Sequence, residues 1–135
     1  MANAVYPRTK AKLMRGALNL ESADLRAVLV DLADYTYSAA HEFLSDIPAA
    51  ARVAVGPTLA NVTVSNDAVL DADDTTVPTV SGDPFEAIVI YRHTGVDATS
   101  ELVHFDDTAG GLPFTPNSQD VDIQFDNGAN KIFAL

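Results

Sequence analysis

Cysteine is absent from this chain, and with it go disulfides, thiolate nucleophiles, cysteine-ligated zinc and iron–sulfur clusters. The fold must rest on packing. Long apolar runs are missing as well: none approaches the roughly 20 residues that span a bilayer. The first residues, Met-Ala-Asn-Ala-Val-Tyr-Pro-Arg, lack the apolar stretch of a secretory signal. The expectation is a protein made in a cytoplasm, or held in a particle assembled there, with no membrane partner. Glycine-rich phosphate loops and the Gly-x-Ser-x-Gly elbow do not occur. His41-Glu42 is followed by Phe43, Leu44 and Ser45, so no second histidine arrives one helical turn later to complete a zinc pair. No catalytic residue, metal ligand or cofactor is therefore assigned, and no enzymatic activity is expected.

Basic residues are scarce and unevenly placed. Eight of them face nineteen acids, a formal net charge of −11. Arg8, Lys10, Lys12 and Arg15 all precede the first acid, Glu21, which leaves residues 21–135 with four bases against nineteen acids, a balance of −15. So acidic a body repels nucleic-acid phosphates, and the basic strips interleaved with aromatics that mark single-strand binders are missing. Nucleic acid is not an expected partner. The basic start reads either as a solvated helix face or as a docking segment for an acidic partner. On the second reading Arg8, Lys10, Lys12 and Arg15 are the candidate contact residues.

At 135 residues the chain has the length of one domain, which buries about two thirds of the surface exposed when unfolded. We divide it into a basic helical segment, 1–20, and an acidic β-rich body, 21–135. Pro7 suits a first helical turn, and Ala11, Met14 and Leu18 recur with helical spacing, predicting a short amphipathic helix that ends near Gly16. Residues 24–31 form a β-branched apolar run bounded by acids, the pattern of a central strand. Residues 33–47 read as a loop with one helical turn starting near Ser38, closed by Pro48. Strands are expected at 52–55 and 58–64 around Gly56-Pro57, an edge strand plus loop at 69–80 interrupted by Pro78, a central strand at 87–91, and another at 101–106. A long loop, 108–117, precedes residues 120–126, where Val121, Ile123 and Phe125 alternate with polar partners. Asn127-Gly128 then predicts a tight hairpin returning along 131–135. The fold class expected is mainly β: a sandwich or open barrel of about seven short strands with one N-terminal helix.

Three groups of residues invite a chemical reading. Asp71, Asp73 and Asp74 are the densest acids, but Thr75 and Thr76 stand where a calcium loop needs a ligand and a glycine. An exposed acidic turn is the better reading, for these and for Asp106-Asp107. The three histidines, His41, His93 and His104, show no ligand spacing, and His104, between Val103 and Phe105, is expected to point outward from its strand. Tyr35, Tyr37 and Phe43 form either a recognition patch or, more economically, the packing of their loop against the sheet. Asn61-Val62-Thr63 matches the glycosylation sequon, which without a secretory signal carries no weight.

Several phrases stand in a telling order: Val-Tyr-Pro-Arg, Leu-Met-Arg-Gly, Leu-Arg-Ala-Val-Leu-Val-Asp, His-Glu-Phe-Leu-Ser-Asp-Ile, Val-Leu-Asp-Ala-Asp-Asp-Thr-Thr and Ala-Ile-Val-Ile-Tyr-Arg-His-Thr-Gly. In that order they resemble a family of small virion structural proteins of tailed bacteriophages, over nearly the whole chain. The resemblance implies a virion component that acts by binding and carries no catalytic residue. It implies a head decoration, or cement, protein on the capsid surface, with the major capsid protein as partner. A homo-oligomer is expected, with a trimer on local symmetry axes as the first choice. The alternative is a tail- or fibre-associated module that binds a host glycan through Tyr35, Tyr37 and the 108–117 loop.

Overall fold

The computed structural model describes residues 4–125 and 132–134. Ten strands and one helix follow one another: β1 (Ala4–Val5), α1 (Pro7–Met14), β2 (Leu25–Val30), β3 (Arg52–Val55), β4 (Thr63–Val64), β5 (Val69–Asp71), β6 (Thr75–Val80), β7 (Ala87–Arg92), β8 (Leu102–Asp106), β9 (Gln119–Ile123) and β10 (Phe133–Ala134). Short 3-10 turns lie at Leu44–Asp46, Ala49–Ala51 and Asp97–Thr99. The chain is mainly β, as its pattern predicts, with more and shorter strands than the seven expected. The helical turn anticipated near Ser38 is a hydrogen-bonded turn there, His41 N–H to the Ser38 carbonyl at 3.1 Å, and the 3-10 helix comes later, at Leu44.

The main sheet is five-stranded in the order β1-β8-β7-β2-β3. Period-2 alternation gives β2 and β7 two apolar faces, and each face meets its own cluster. Leu25, Ala27 and Leu29 of β2, with Ile90 of β7, point into one cluster together with Leu70, Val77, Val121, Ile123 and Phe133 from the strands opposite. Val28 and Val30, with Ala87, Val89 and Tyr91, point into the other, which holds Tyr6, Tyr35, Leu44, Ile47 and Ala51. One face of the main sheet thus packs on smaller sheets, consistent with a sandwich, and the other is covered by the segment that precedes β3. That double covering is why β2 and β7 read as continuous apolar runs.

The second layer consists of a three-stranded sheet, β10-β5-β4, and a two-stranded ribbon, β6-β9. Pro78 does not end β6. The ladder slips between Val77 and Val80, Thr79 takes a φ of 49°, and its N–H reaches Asp120 Oδ1 at 3.0 Å instead of a backbone carbonyl. A bulge at an edge position is where a strand tolerates a residue with no N–H to donate.

Among the described residues the strands of the predicted C-terminal hairpin do not pair with each other. β9 pairs with β6 and β10 pairs with β5, both antiparallel, so the two strands flanking Asn127-Gly128 belong to different sheets. The turn itself lies outside the described residues. Val121 and Ile123 do point inward, but Phe125 falls beyond the end of β9 and is only half-buried, with its N–H held by Asp74 Oδ1 at 2.8 Å. Replacing Phe125 by alanine should therefore cost about 1–2 kcal/mol in chemical denaturation, below the ~3–5 of a fully enclosed ring. A loss at the top of that range would mean the ring is more enclosed than this packing shows.

Candidate functional site

α1 is the segment in which the chain concentrates its positive charge, so its setting comes first. Pro7 occupies the first helical position, where a missing N–H costs nothing. Tyr6, its extended N-cap residue, is wholly buried. The Tyr6 and Tyr35 hydroxyls share a hydrogen bond of 2.9 Å, and Tyr35 in turn reaches His41 Nδ1 at 2.9 Å. Burial pushes both phenols up, Tyr35 to about 12, so at neutral pH they act as uncharged hydrogen-bonding groups. One helical turn apart, Thr9 and Leu13 face the body: Thr9 is fully buried and its hydroxyl donates to the Leu102 carbonyl, while Leu13 packs against the first core cluster. The buried face is thus set by Thr9 and Leu13, and not by Ala11, Met14 and Leu18 as their spacing suggests. Met14 is 85% exposed.

The four candidate contact residues part company here. Arg8, Lys10 and Arg15 are exposed. Lys12 turns inward: its Nζ lies 3.0 Å from Glu42 and 3.2 Å from Glu101 and stands 4.5 Å from the centre of the Phe43 ring. Glu101 also meets Arg92, at 2.6 Å. This carboxylate is 5% exposed and sits between two cations. Burial alone would raise its pKa, but the bonds to Arg92 and Lys12 outweigh burial and hold it below the ordinary value. Lys12 clamps α1 to the body and is removed from the candidate contact set.

Gly16, at φ +72°, turns the chain out of the helix. Beside that turn opens an apolar cleft of about 440 Å³, lined by Leu13, Leu18, Leu20, Val64, Leu70 and Phe133, with Glu21 at its polar side. Glu21 Oε2 accepts the Val64 N–H at 3.0 Å, which fixes the carboxylate at the rim.

The histidines are placed as structural groups. His104 does not point outward. It is 5% exposed and stacks on Phe133 with ring centres 5.2 Å apart. The cause is a register shift opposite Ile90/Tyr91 in the β7–β8 ladder, which lets Val103 and His104 both face the second layer. Burial pushes the His104 imidazole down, opposed only in part by Asp106. His93 Nδ1 lies 3.5 Å from the Tyr91 hydroxyl.

Tyr35 is 4% exposed, and Tyr37 stands between Tyr6 and Phe105, with ring centres at 5.1 and 5.3 Å. The tyrosines therefore pack the loop onto the sheet and offer no open stacking pair.

Asp71, Asp73 and Asp74 do not converge. Asp73 accepts from Asn61 Nδ2 at 2.6 Å and Asp74 from Phe125 N–H. Among the described residues the acids that do converge are Asp31, Asp34 and Asp83, with one oxygen of each within 4.8 Å of the others. No local pattern announces that trio, because Asp83 arrives from a different part of the chain. Asp31 is buried and already accepts the Ala33 N–H at 2.9 Å, while Asp34 and Asp83 are exposed.

No helix among the described residues is long and apolar enough to cross a membrane. Comparison of the chain with protein-family models and with curated proteins finds no match.

Proposed function

We propose that this chain is a virion structural protein of a tailed bacteriophage that binds the outside of the head shell through the major capsid protein and stabilises it. The observation that carries the reading is a separation of charge. Arg8 and Lys10 stand exposed on a helix that holds no acid, with Arg15 exposed at its C-terminal end, on a body whose balance is −15. A helix clamped by Lys12 and Thr9 presents those three side chains from a fixed base, which lowers the entropy lost when they meet a partner. The resemblance of its phrases to those of phage virion proteins points the same way. The action needs no chemistry: a small protein that binds the assembled lattice and not its free subunits stabilises the lattice by mass action. An acidic exterior limits sticking to other negatively charged particles.

The triple variant Arg8→Glu, Lys10→Glu, Arg15→Glu should keep the thermal midpoint of the isolated protein and bind shells lacking it at least tenfold more weakly, a change of about 1.4 kcal/mol. Occupancy measured by quantitative staining of reconstituted particles reads this directly. Equal occupancy would take α1 out of the interface. The same stain separates head from tail, since decoration requires hundreds of copies per particle and a tail or fibre module only a few or tens.

A further inference from the structure

We propose that the cleft beside α1 is a two-fold self-association face, in which Met14 of one copy enters the cleft of a second copy and the second copy's Met14 enters the first. The proposal shares Arg15 with the shell-binding reading but rests on the apolar cleft, and it is tested without any shell. Among the described residues four large apolar side chains are strongly exposed, Met14 at 85% and Val64 at 40% among them. Val64 lines the cleft, and Met14 follows directly on Leu13, which lines it too. A scattered exposed apolar residue is ordinary. A flexible apolar knob beside an open apolar hole is a complementary pair.

Knob and hole lie on the same patch, so two copies satisfy each other only when related by a two-fold axis, residue i of one meeting residue j of the other and the reverse. A head-to-tail ring would need them on different sides of the molecule.

The charges select a second copy as the occupant. Arg15 is adjacent to the knob, and Glu21, held at the rim by the Val64 N–H, is adjacent to the hole. The two-fold exchange carries Arg15 of each copy toward Glu21 of the other. The residues before Glu21 hold four bases and no acid, so a contact that includes α1 and the turn after it lowers the repulsion between two acidic bodies. The unit so formed is a dimer, not the trimer that the phage resemblance suggests.

Isolated protein tests this without any shell. In sedimentation equilibrium, the wild-type chain should populate a dimer as its concentration rises into the micromolar range. Met14→Glu should shift the dissociation constant at least a hundredfold, with an unchanged thermal midpoint because the side chain is exposed. The lack of native cysteine allows a second arm: Met14→Cys protein mixed with separately tagged Val64→Cys protein under mild oxidation should give the mixed disulfide in preference to either like pair. A wild-type monomer at every concentration, a three-copy species, a dimer indifferent to Met14→Glu, or no preference for the mixed disulfide would each overturn the proposal.

Discussion

Phe105→Ala should be among the most damaging single substitutions in this protein, lowering stability by about 3–5 kcal/mol. Phe105 is 1% exposed and lies opposite Val89 of β7 on one side and Ala4 of β1 on the other. Its ring meets Tyr37 within the cluster formed by Tyr6, Tyr35, Val89 and Leu102. Removing it opens a cavity where three separate stretches of chain converge, and none of them can close it by shifting alone. The denaturant midpoint should fall with little change in slope. Phe105→Leu, which keeps most of the volume, should cost far less, about 1.5 kcal/mol or under. Equal losses from both would point to a requirement for an aromatic ring at this position and not to a packing deficit.

Glu101→Gln should cost about 3 kcal/mol at neutral pH, the low end of the ~3–5 for breaking a buried ion pair, since Lys12 and Arg92 keep 23% and 33% of their side-chain surface and can recover some water. The cost should depend on pH in a definite direction. The folded-state value of Glu101 lies below its ordinary value of 4.5. Its stabilisation is therefore complete above that ordinary value and disappears as pH falls through the lower folded-state value. The gap in thermal midpoint between wild type and Glu101→Gln should then be widest above about pH 5 and narrow steadily toward pH 2. Asp24 and Asp46, whose carboxyls are also held low, the first by Arg26 and Thr58 against burial and the second by the Glu42 and Phe43 N–H groups, titrate alike in both proteins and cancel in the difference. A gap constant across that range would show that the residue contributes by shape and not by charge. Amide exchange in α1 should quicken in the variant, because Lys12 loses one of its two acids.

What the chain discloses about itself depends on how local each cause is. β2, β3 and β7 are readable because apolar runs bounded by acids, glycine or proline need no partner to identify them, and their observed limits fall within a residue of the expected ones. Asn127-Gly128 is an equally local signal, yet it does not decide pairing. Among the described residues β9 pairs with β6 and β10 with β5, partners far away in sequence that a local pattern does not name. His104 was misplaced because strict alternation assumes an unbroken ladder, and a bulge in β8 depends on its neighbour β7. The helix face was misjudged because Thr9 counts as polar in any hydropathy pattern, whereas its hydroxyl is satisfied by the Leu102 carbonyl and its methyl is free to be buried. Of the candidate contacts, the concentration of base was plain from sequence. The inward turn of Lys12 was not, since Glu101 reaches it from the far end of the chain.

The pairing of β1 with β8, Ala4 opposite Phe105 and Val5 opposite His104, has a consequence for how the protein is born. Once made, β1 waits for β8, which comes last in the chain among the strands of the main sheet. At about 5–20 residues per second that wait is on the order of 5–20 seconds. For most of it β2 also lacks its partner β7, which is made only at residues 87–92, and the face that Tyr6 and Phe105 will cover stands open. A nascent chain in that state is a natural client for a chaperone. Codon choice upstream of Phe105 should then influence yield, whereas codon choice after β9 should matter much less.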